Sequence, residues 1–109
     1  MTIPTRLTAA ELASAPLTPG RLSRLAFDTA DIELRHYAPQ REDKQVAHDR
    51  DELYFVIAGR GVFQRADERV AFGPGDVLYA AAGEAHRFVE FSEGFSTWVL
   101  FYGPRKSQD

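Results

Sequence analysis

The chain has 109 residues and a formal net charge of −3, which indicates one globular domain and no basic surface for nucleic acid. It contains no cysteine, which excludes disulfides, cysteine-ligated zinc and thiol catalysis. No apolar run reaches the roughly 18 residues of a membrane-spanning helix, and the first residues lack a secretory pattern. We therefore expect a cytoplasmic protein without a membrane partner.

The predicted elements begin with one short helix at residues 8–14. Thr8 and Glu11 have the spacing of a capping box, and Pro16 cannot continue the helix. The rest of the chain alternates between β-branched or aromatic runs and Gly, Pro or Asp, a pattern typical of short strands. The predicted strands are residues 22–27, 31–37, 52–58, 62–65, 69–72, 76–80, 86–91 and 95–102.

Many short strands with frequent turns favour a sandwich or a barrel. The segment 52–58 is apolar on both of its faces, whereas a one-sided sheet alternates more cleanly. The second face therefore needs cover from another sheet, the N-terminal segment or a partner subunit. Of these, we favour a homodimer as the hypothesis.

The first candidate for chemistry is the pair His48 and Glu52. Residues four apart in a strand share a face, so both side chains are predicted to point into the barrel. A buried glutamate is costly unless it is paired, protonated or bound to a metal. His86 begins another predicted strand, and an adjacent strand would place its imidazole beside the pair. Two imidazoles and one carboxylate suit Fe, Mn, Ni, Co or Zn. The alternative is three structural residues, with Glu52 paired to an arginine.

The residues around this candidate site resemble the two signature motifs of the cupin superfamily. In the stretch 46-VAHDRDELYFVIAG-59, the residues His48, Glu52 and Gly59 have the spacing of the first motif. In the stretch 75-GDVLYAAAGEAHRFVE-90, the residues Gly75, Gly83 and His86 have the spacing of the second motif. The resemblance spans about residues 31 to 102. It implies an all-β fold, a double-stranded β-helix or jelly-roll barrel with one short N-terminal helix. It divides the chain into an N-terminal helix and strand (1–30), the barrel (31–103) and a flexible tail (104–109).

Three positions depart from the motifs, and Val46 matters most because it replaces the first histidine ligand. Ala81 replaces the motif proline and Glu90 the final asparagine. Two residues are candidates for an additional ligand. Gln45 is next to the vacant position, although a solvated edge glutamine is the simpler interpretation. His36 would approach the pocket as a ligand or an acid/base if its face of the strand points inward.

Aromatic residues complete the predicted pocket, which we expect to bind a small molecule. The candidate wall residues are Val46, Tyr54, Phe88 and Trp98. Arg87 has the opposite strand parity to His86, so no basic cluster is expected on the pocket face. Three functions stay open: a metalloenzyme similar to cupin dioxygenases or isomerases, a non-catalytic small-molecule-binding module with or without metal, and, ranked last, a structural jelly roll.

Overall fold

The computed structural model describes residues 2–105 and contains one helix and eight strands in that range. They are α1 (Ala9–Ser14), β1 (Arg24–Asp28), β2 (Ile32–Tyr37), β3 (Asp51–Ala58), β4 (Gly61–Arg65), β5 (Glu68–Phe72), β6 (Val77–Ala80), β7 (His86–Phe91) and β8 (Ser96–Tyr102). The strands form two antiparallel sheets, one with the order β1-β2-β8-β3-β6 and one with the order β5-β4-β7. The predicted all-β double-stranded β-helix with one short N-terminal helix is confirmed. Residues 106–109 of the predicted tail lie outside the described residues.

The helix α1 begins at the predicted cap. The Thr8 hydroxyl accepts a hydrogen bond from the Glu11 backbone N–H at 3.2 Å and donates one to the Glu11 carboxylate at 2.9 Å. The glutamate thus returns to the cap side chain rather than to the cap backbone of a full capping box. The helix packs against β1 and β2. Within residues 2–105 no helix is long and apolar enough to cross a membrane.

The core lies between the two sheets and is mostly aromatic. Phe88 of β7 lies at its centre, with ring centroids 5.0 Å from Tyr54, 4.9 Å from Phe63 and 4.8 Å from Phe95. Edge-on and tilted contacts at these distances are the preferred geometry for aromatic pairs. The core fills the middle of the sandwich, so polar side chains from the inner faces collect at its end.

Gly59 ends β3 at a point where two segments meet closely. Its φ is +89°, and a Cβ there would lie 2.6 Å from the Phe95 Cα. Only glycine fits both the left-handed conformation and this close approach. The glycine of the first sequence motif therefore sets the turn that carries the chain from one sheet to the other.

The strand β2 has an inverted pattern, with charged residues inside and apolar residues outside. Glu33 and Arg35 lie opposite Phe101 and Val99 of β8, which face the core. Residues opposite each other in an antiparallel pair share a face, so both charged side chains point inward. Ile32, Leu34 and His36 point outward. A cavity between the sheets must accommodate the inward charges.

The outer face of the five-stranded sheet is apolar. On this face, Leu53 is the cross-strand partner of Leu100. Phe55 lies between its cross-strand partners Trp98 and Val77. Phe55 is 37% exposed, Val77 55% and Tyr79 37%. Within residues 2–105, the helix α1 packs on the β1–β2 side of this sheet, and Phe55, Val77 and Tyr79 are exposed on the β3–β6 side.

Candidate metal centre

Three different elements bring His48, Glu52 and His86 together. Glu52 is the second residue of β3, and His86 is the first residue of β7 in the opposite sheet. His48 lies in the loop before β3 rather than in the strand. We expected His86 to come from a neighbouring strand. Instead its imidazole reaches Glu52 across the gap between the sheets.

The three side chains converge on the Glu52 carboxylate. Glu52 Oε1 lies 3.3 Å from His48 Nδ1 and 2.6 Å from His86 Nε2, and one ligand atom from each residue lies within 4.8 Å of the others. Metal–ligand bonds of about 2.0–2.2 Å place neighbouring ligand atoms about 3 Å apart. The His86 side chain is 0% exposed, that of Glu52 1% and that of His48 34%. The site is therefore closed on all sides except that of His48.

The hydrogen bonding of His86 fits a metal ligand. Its Nδ1 lies 2.9 Å from the Glu84 carbonyl oxygen, which can only accept, so Nδ1 carries the proton. Its Nε2 faces Glu52 Oε1 at 2.6 Å, so this nitrogen is the one available to a proton or a metal. Within residues 2–105, Glu52 Oε2 is buried without a hydrogen-bond partner. Such atoms are costly, and a backbone-anchored imidazole is typical of metal ligands. The residues fit a divalent transition metal.

The charges of the site favour an ionised Glu52. Burial acts to raise the pKa of Glu52, but the imidazoles of His48 and His86 outweigh it and hold the pKa below its ordinary value. Burial acts to lower the pKa of His86, and the Glu52 carboxylate outweighs it and raises the pKa. Without a metal, the Glu52 carboxylate favours protonation of His86. A metal and a proton therefore compete for the same nitrogen.

The loop that carries His48 is fixed by a buried aspartate that the sequence analysis missed. Asp43 is 4% exposed and accepts hydrogen bonds from Tyr37 Oη at 2.6 Å, Gln45 N at 3.0 Å, Gln45 Nε2 at 2.7 Å and Phe88 N at 2.8 Å. These bonds join the loop to β2 and to β7. The sequence around this charged residue gave no signal of the role, because one of its donors, the Phe88 backbone N–H, comes from a distant strand.

Gln45 and Val46 have the reverse of their expected orientations. Gln45 is buried, and its side-chain oxygen accepts a hydrogen bond from Tyr54 Oη at 2.8 Å. That oxygen is engaged in the Asp43 network, so Gln45 is neither a solvated residue nor a ligand. Val46 is 72% exposed and lies at the rim of a small cavity beside His48 rather than in its interior. The loop residues Asp43 and Gln45 point inward, so the alternation of the chain turns position 46 outward.

His36 and Trp98 lie on the outer face of the five-stranded sheet. They are cross-strand partners, with ring centroids 5.6 Å apart in an edge-on arrangement. His36 is buried beside α1, and burial followed by the nearby Arg24 charge lowers its pKa. Because the sheet separates both residues from the triad, the expected roles of His36 as an additional ligand or acid/base and of Trp98 as a pocket wall do not hold.

Tyr54 and Phe88 lie on the interior side, as expected, but under the site rather than around an open pocket. Tyr54 is 0% exposed, and its ring centroid is 6.0 Å from that of His86. Burial, with the charges of Glu52 and Asp43, raises the pKa of Tyr54 well above its ordinary value. It therefore stays a neutral phenol that holds Gln45. Phe88 is a core residue at 1% exposure.

Two cavities adjoin the open side of His48, and both are lined in part by Phe101. One of 140 Å³ also contacts Val46 and Gln45. The other, of 360 Å³, is lined by Arg21, Arg35, Arg50 and Arg105 together with Glu33 and Asp49. The expectation of no basic cluster on the pocket face is wrong. The sequence signal for this cluster is the alternation of β2, which points Arg35 into the sandwich.

The chain matches the family model of the cupin domain over residues 33–100. An uncharacterised protein of Streptomyces coelicolor is 39% identical over 62 residues, which cover 57% of this chain and 59% of that protein. The match thus spans less than two thirds of the relative. A Rhizobium leguminosarum protein of unknown function has a TM-score of 0.70 at 23% identity, covering 95% of this chain and all of that one. KdgF from a Halomonas species has a TM-score of 0.66 at 18% identity over 84% of this chain and 86% of its own.

The chain therefore belongs to the cupin family. Its fold is that of a small cupin domain, and its interior holds a His-His-Glu cluster with the geometry to bind a metal. The identities to solved structures reported above lie below 25% and extend the likeness to the fold alone.

The hydrogen bonds of Asp43 predict that this residue stabilises the loop that carries His48. Asp43→Asn replaces an acceptor oxygen by an amine facing donors, and we expect it to lower the free energy of unfolding by about 2–4 kcal/mol. We also expect metal affinity to fall about tenfold, as for other residues that orient ligands. Urea unfolding and metal titration measure the two effects. Asp67→Asn, in an exposed turn, is the control and should change neither. Unaltered stability and affinity in Asp43→Asn would contradict the role.

Proposed function

We propose that this cupin is a metalloenzyme that acts on a small molecule through a 2-His-1-Glu site formed by His48, Glu52 and His86. The observation that carries the proposal is the buried Glu52 carboxylate between two imidazoles, with one ligand atom from each residue within 4.8 Å of the others. A bound Fe, Mn, Ni, Co or Zn ion would supply a Lewis acid or a redox centre. The dioxygenase-like and isomerase-like reactions both remain within this proposal.

The residues of the chain supply the rest of the site. Glu84 and Asp43 orient His86 and the His48 loop through backbone hydrogen bonds. The aromatic core closes the site from below, so a substrate reaches it from the side of His48. Three protein ligands leave coordination positions for water or substrate, which is typical of catalytic rather than structural metal sites. This favours the metalloenzyme over a structural jelly roll.

Metal content tests the first part of the proposal. Untagged protein is expected to hold about one transition-metal ion per chain after reconstitution, and His86→Ala or Glu52→Gln should weaken affinity more than the 10–100-fold typical of outer residues. Elemental analysis after gel filtration measures the content. His36→Gln is the matched control, because this histidine is buried on the other face of the sheet. Failure of the wild-type protein to take up any of the five metals would refute the site.

Turnover separates the enzyme from the alternative, a non-catalytic small-molecule-binding cupin module. We expect the iron-loaded protein to consume oxygen, or the zinc-loaded protein to isomerise substrate, at least about tenfold faster than His86→Ala. Oxygen uptake with catechols, thiols and diketones, and proton exchange by NMR for the same compounds, measure the two reactions. Binding of a compound with no turnover in either assay would favour the module.

We also propose that the chain forms a homodimer through the apolar outer face of the five-stranded sheet. A second copy suits this face because a two-fold interface pairs one patch with itself, and the rows around Leu53 and Phe55 are apolar. We expect wild-type protein to have twice the chain mass by light scattering at micromolar concentration, and Phe55→Lys to be monomeric. Val70→Lys is the control, because Val70 is equally exposed at 37% but lies in the other sheet. A monomeric wild-type protein would exclude the dimer.

A further inference from the structure

The larger cavity beside His48 has a charge opposite to that of the whole chain. Its lining contains four arginines, Arg21, Arg35, Arg50 and Arg105, but only two carboxylates, Glu33 and Asp49. The formal net charge of the chain is −3. The cavity lining therefore has two positive charges without a partner of opposite sign, whereas the whole chain has a negative net charge. A concave surface lined by one sign of charge attracts ligands of the other sign.

Two of the arginines are buried and share one carboxylate. Arg35 is 7% exposed and Arg50 6%. Glu33 lies 3.0 Å from Arg35 Nη1 and 3.9 Å from Arg50 Nη1. Two guanidinium groups thus face a single negative charge, and the three residues together carry one positive charge away from bulk water. Buried charge without compensation is costly, so the fold retains an unfavourable feature at this point.

The other donors of these two arginines are satisfied by neutral oxygens. Arg35 donates to Ser23 Oγ at 2.6 Å and to the Ser23 carbonyl at 3.0 Å. Arg50 donates to the carbonyls of Gly103 at 3.1 Å and Asp31 at 2.8 Å. These bonds hold the guanidinium groups rigidly but remove none of their charge. The pair is therefore a fixed source of positive potential.

The cavity also offers a more accessible arginine next to the triad. Arg21 is exposed at the rim, and within residues 2–105 it forms no ion pair. His48, the one triad residue with an exposed ring, lines the same cavity. The volume of 360 Å³ is within the range of small-molecule sites. Arg21 and His48 thus line one cavity.

We infer that the substrate of this site is a small anion, bearing a carboxylate or phosphate group that is held by Arg21 in the field of Arg35 and Arg50. The inference rests on the proposed function, since it assigns the substrate class of the same site. Guanidinium groups bind both oxyanions through charge-assisted hydrogen bonds. A neutral molecule of the same shape leaves the excess charge of the cavity unbalanced.

Calorimetric titration of metal-free and zinc-loaded protein tests this inference with four probes: malate, citrate, inorganic phosphate and the neutral malamide. We expect at least one anion to bind metal-free protein about tenfold or more tightly than malamide, and its affinity to fall as salt rises. A preference for phosphate or for carboxylates identifies which oxyanion the cavity takes, and either supports the inference. Equal or absent binding of the anions and malamide would overturn it.

Arginine variants test where on the protein the anion binds. Arg21→Gln is expected to weaken anion binding about five- to tenfold, whereas Arg87→Gln, with the same change in net charge on the exposed side of β7, should leave it unaltered. Equal weakening by both variants would overturn the inference, because it would indicate a general charge effect. Arg35→Gln should weaken binding as well if its unfolding temperature shows that it folds, and Arg21→Gln decides the matter if it does not.

Elemental analysis of the same samples separates this inference from the proposed function. Anion binding by a protein that takes up no metal would leave the cavity assignment standing and refute the metal site. Metal uptake without any preference for anions would refute the cavity assignment alone.

Discussion

The buried carboxylate of Glu52 is the constraint on which the rest of the site depends. At 1% exposure, it has two imidazoles as its ion-pair partners within residues 2–105. An isolated carboxylate in such a place is costly, and only a proton or a cation shared with the imidazoles removes that cost. The positions of His48 and His86 therefore decide how the charge of Glu52 is balanced.

The scaffold holds these imidazoles by backbone hydrogen bonds rather than by packing alone. His86 is held through the Glu84 carbonyl at the start of β7. His48 lies outside the strands. The Gly83 backbone N–H donates to its carbonyl oxygen at 2.7 Å, and Asp43 joins its loop to β2 and β7. The same aspartate draws Gln45 inward and leaves Val46 exposed. The missing family ligand at position 46 is thus accompanied by a loop that turns that position away from the site.

The two faces of β2 carry different residues, charged ones toward the cavity and apolar ones on the outer face of the sheet. Glu33 and Arg35 point into the sandwich and contribute to a positively charged cavity, while Ile32 and Leu34 point outward. The usual burial of apolar residues is reversed here because the interior at this end is a cavity and not a core. The outward residues continue an apolar face that runs to Phe55 and Tyr79.

The sequence alone determined the strands and the triad. Runs of β-branched and aromatic residues between Gly, Pro or Asp located each strand to within two residues of its first and last positions, and the motif spacing brought His48, Glu52 and His86 into one hypothesis. These features are local, or follow from a repeated pattern. Only the tertiary structure decided which face of β2 points inward, and therefore that His36 and Trp98 lie outside and Arg35 inside. It also decided that Asp43 is buried, because the groups that donate to it come from Tyr37, Gln45 and Phe88. Neither result follows from local pattern, since each depends on which distant strands meet.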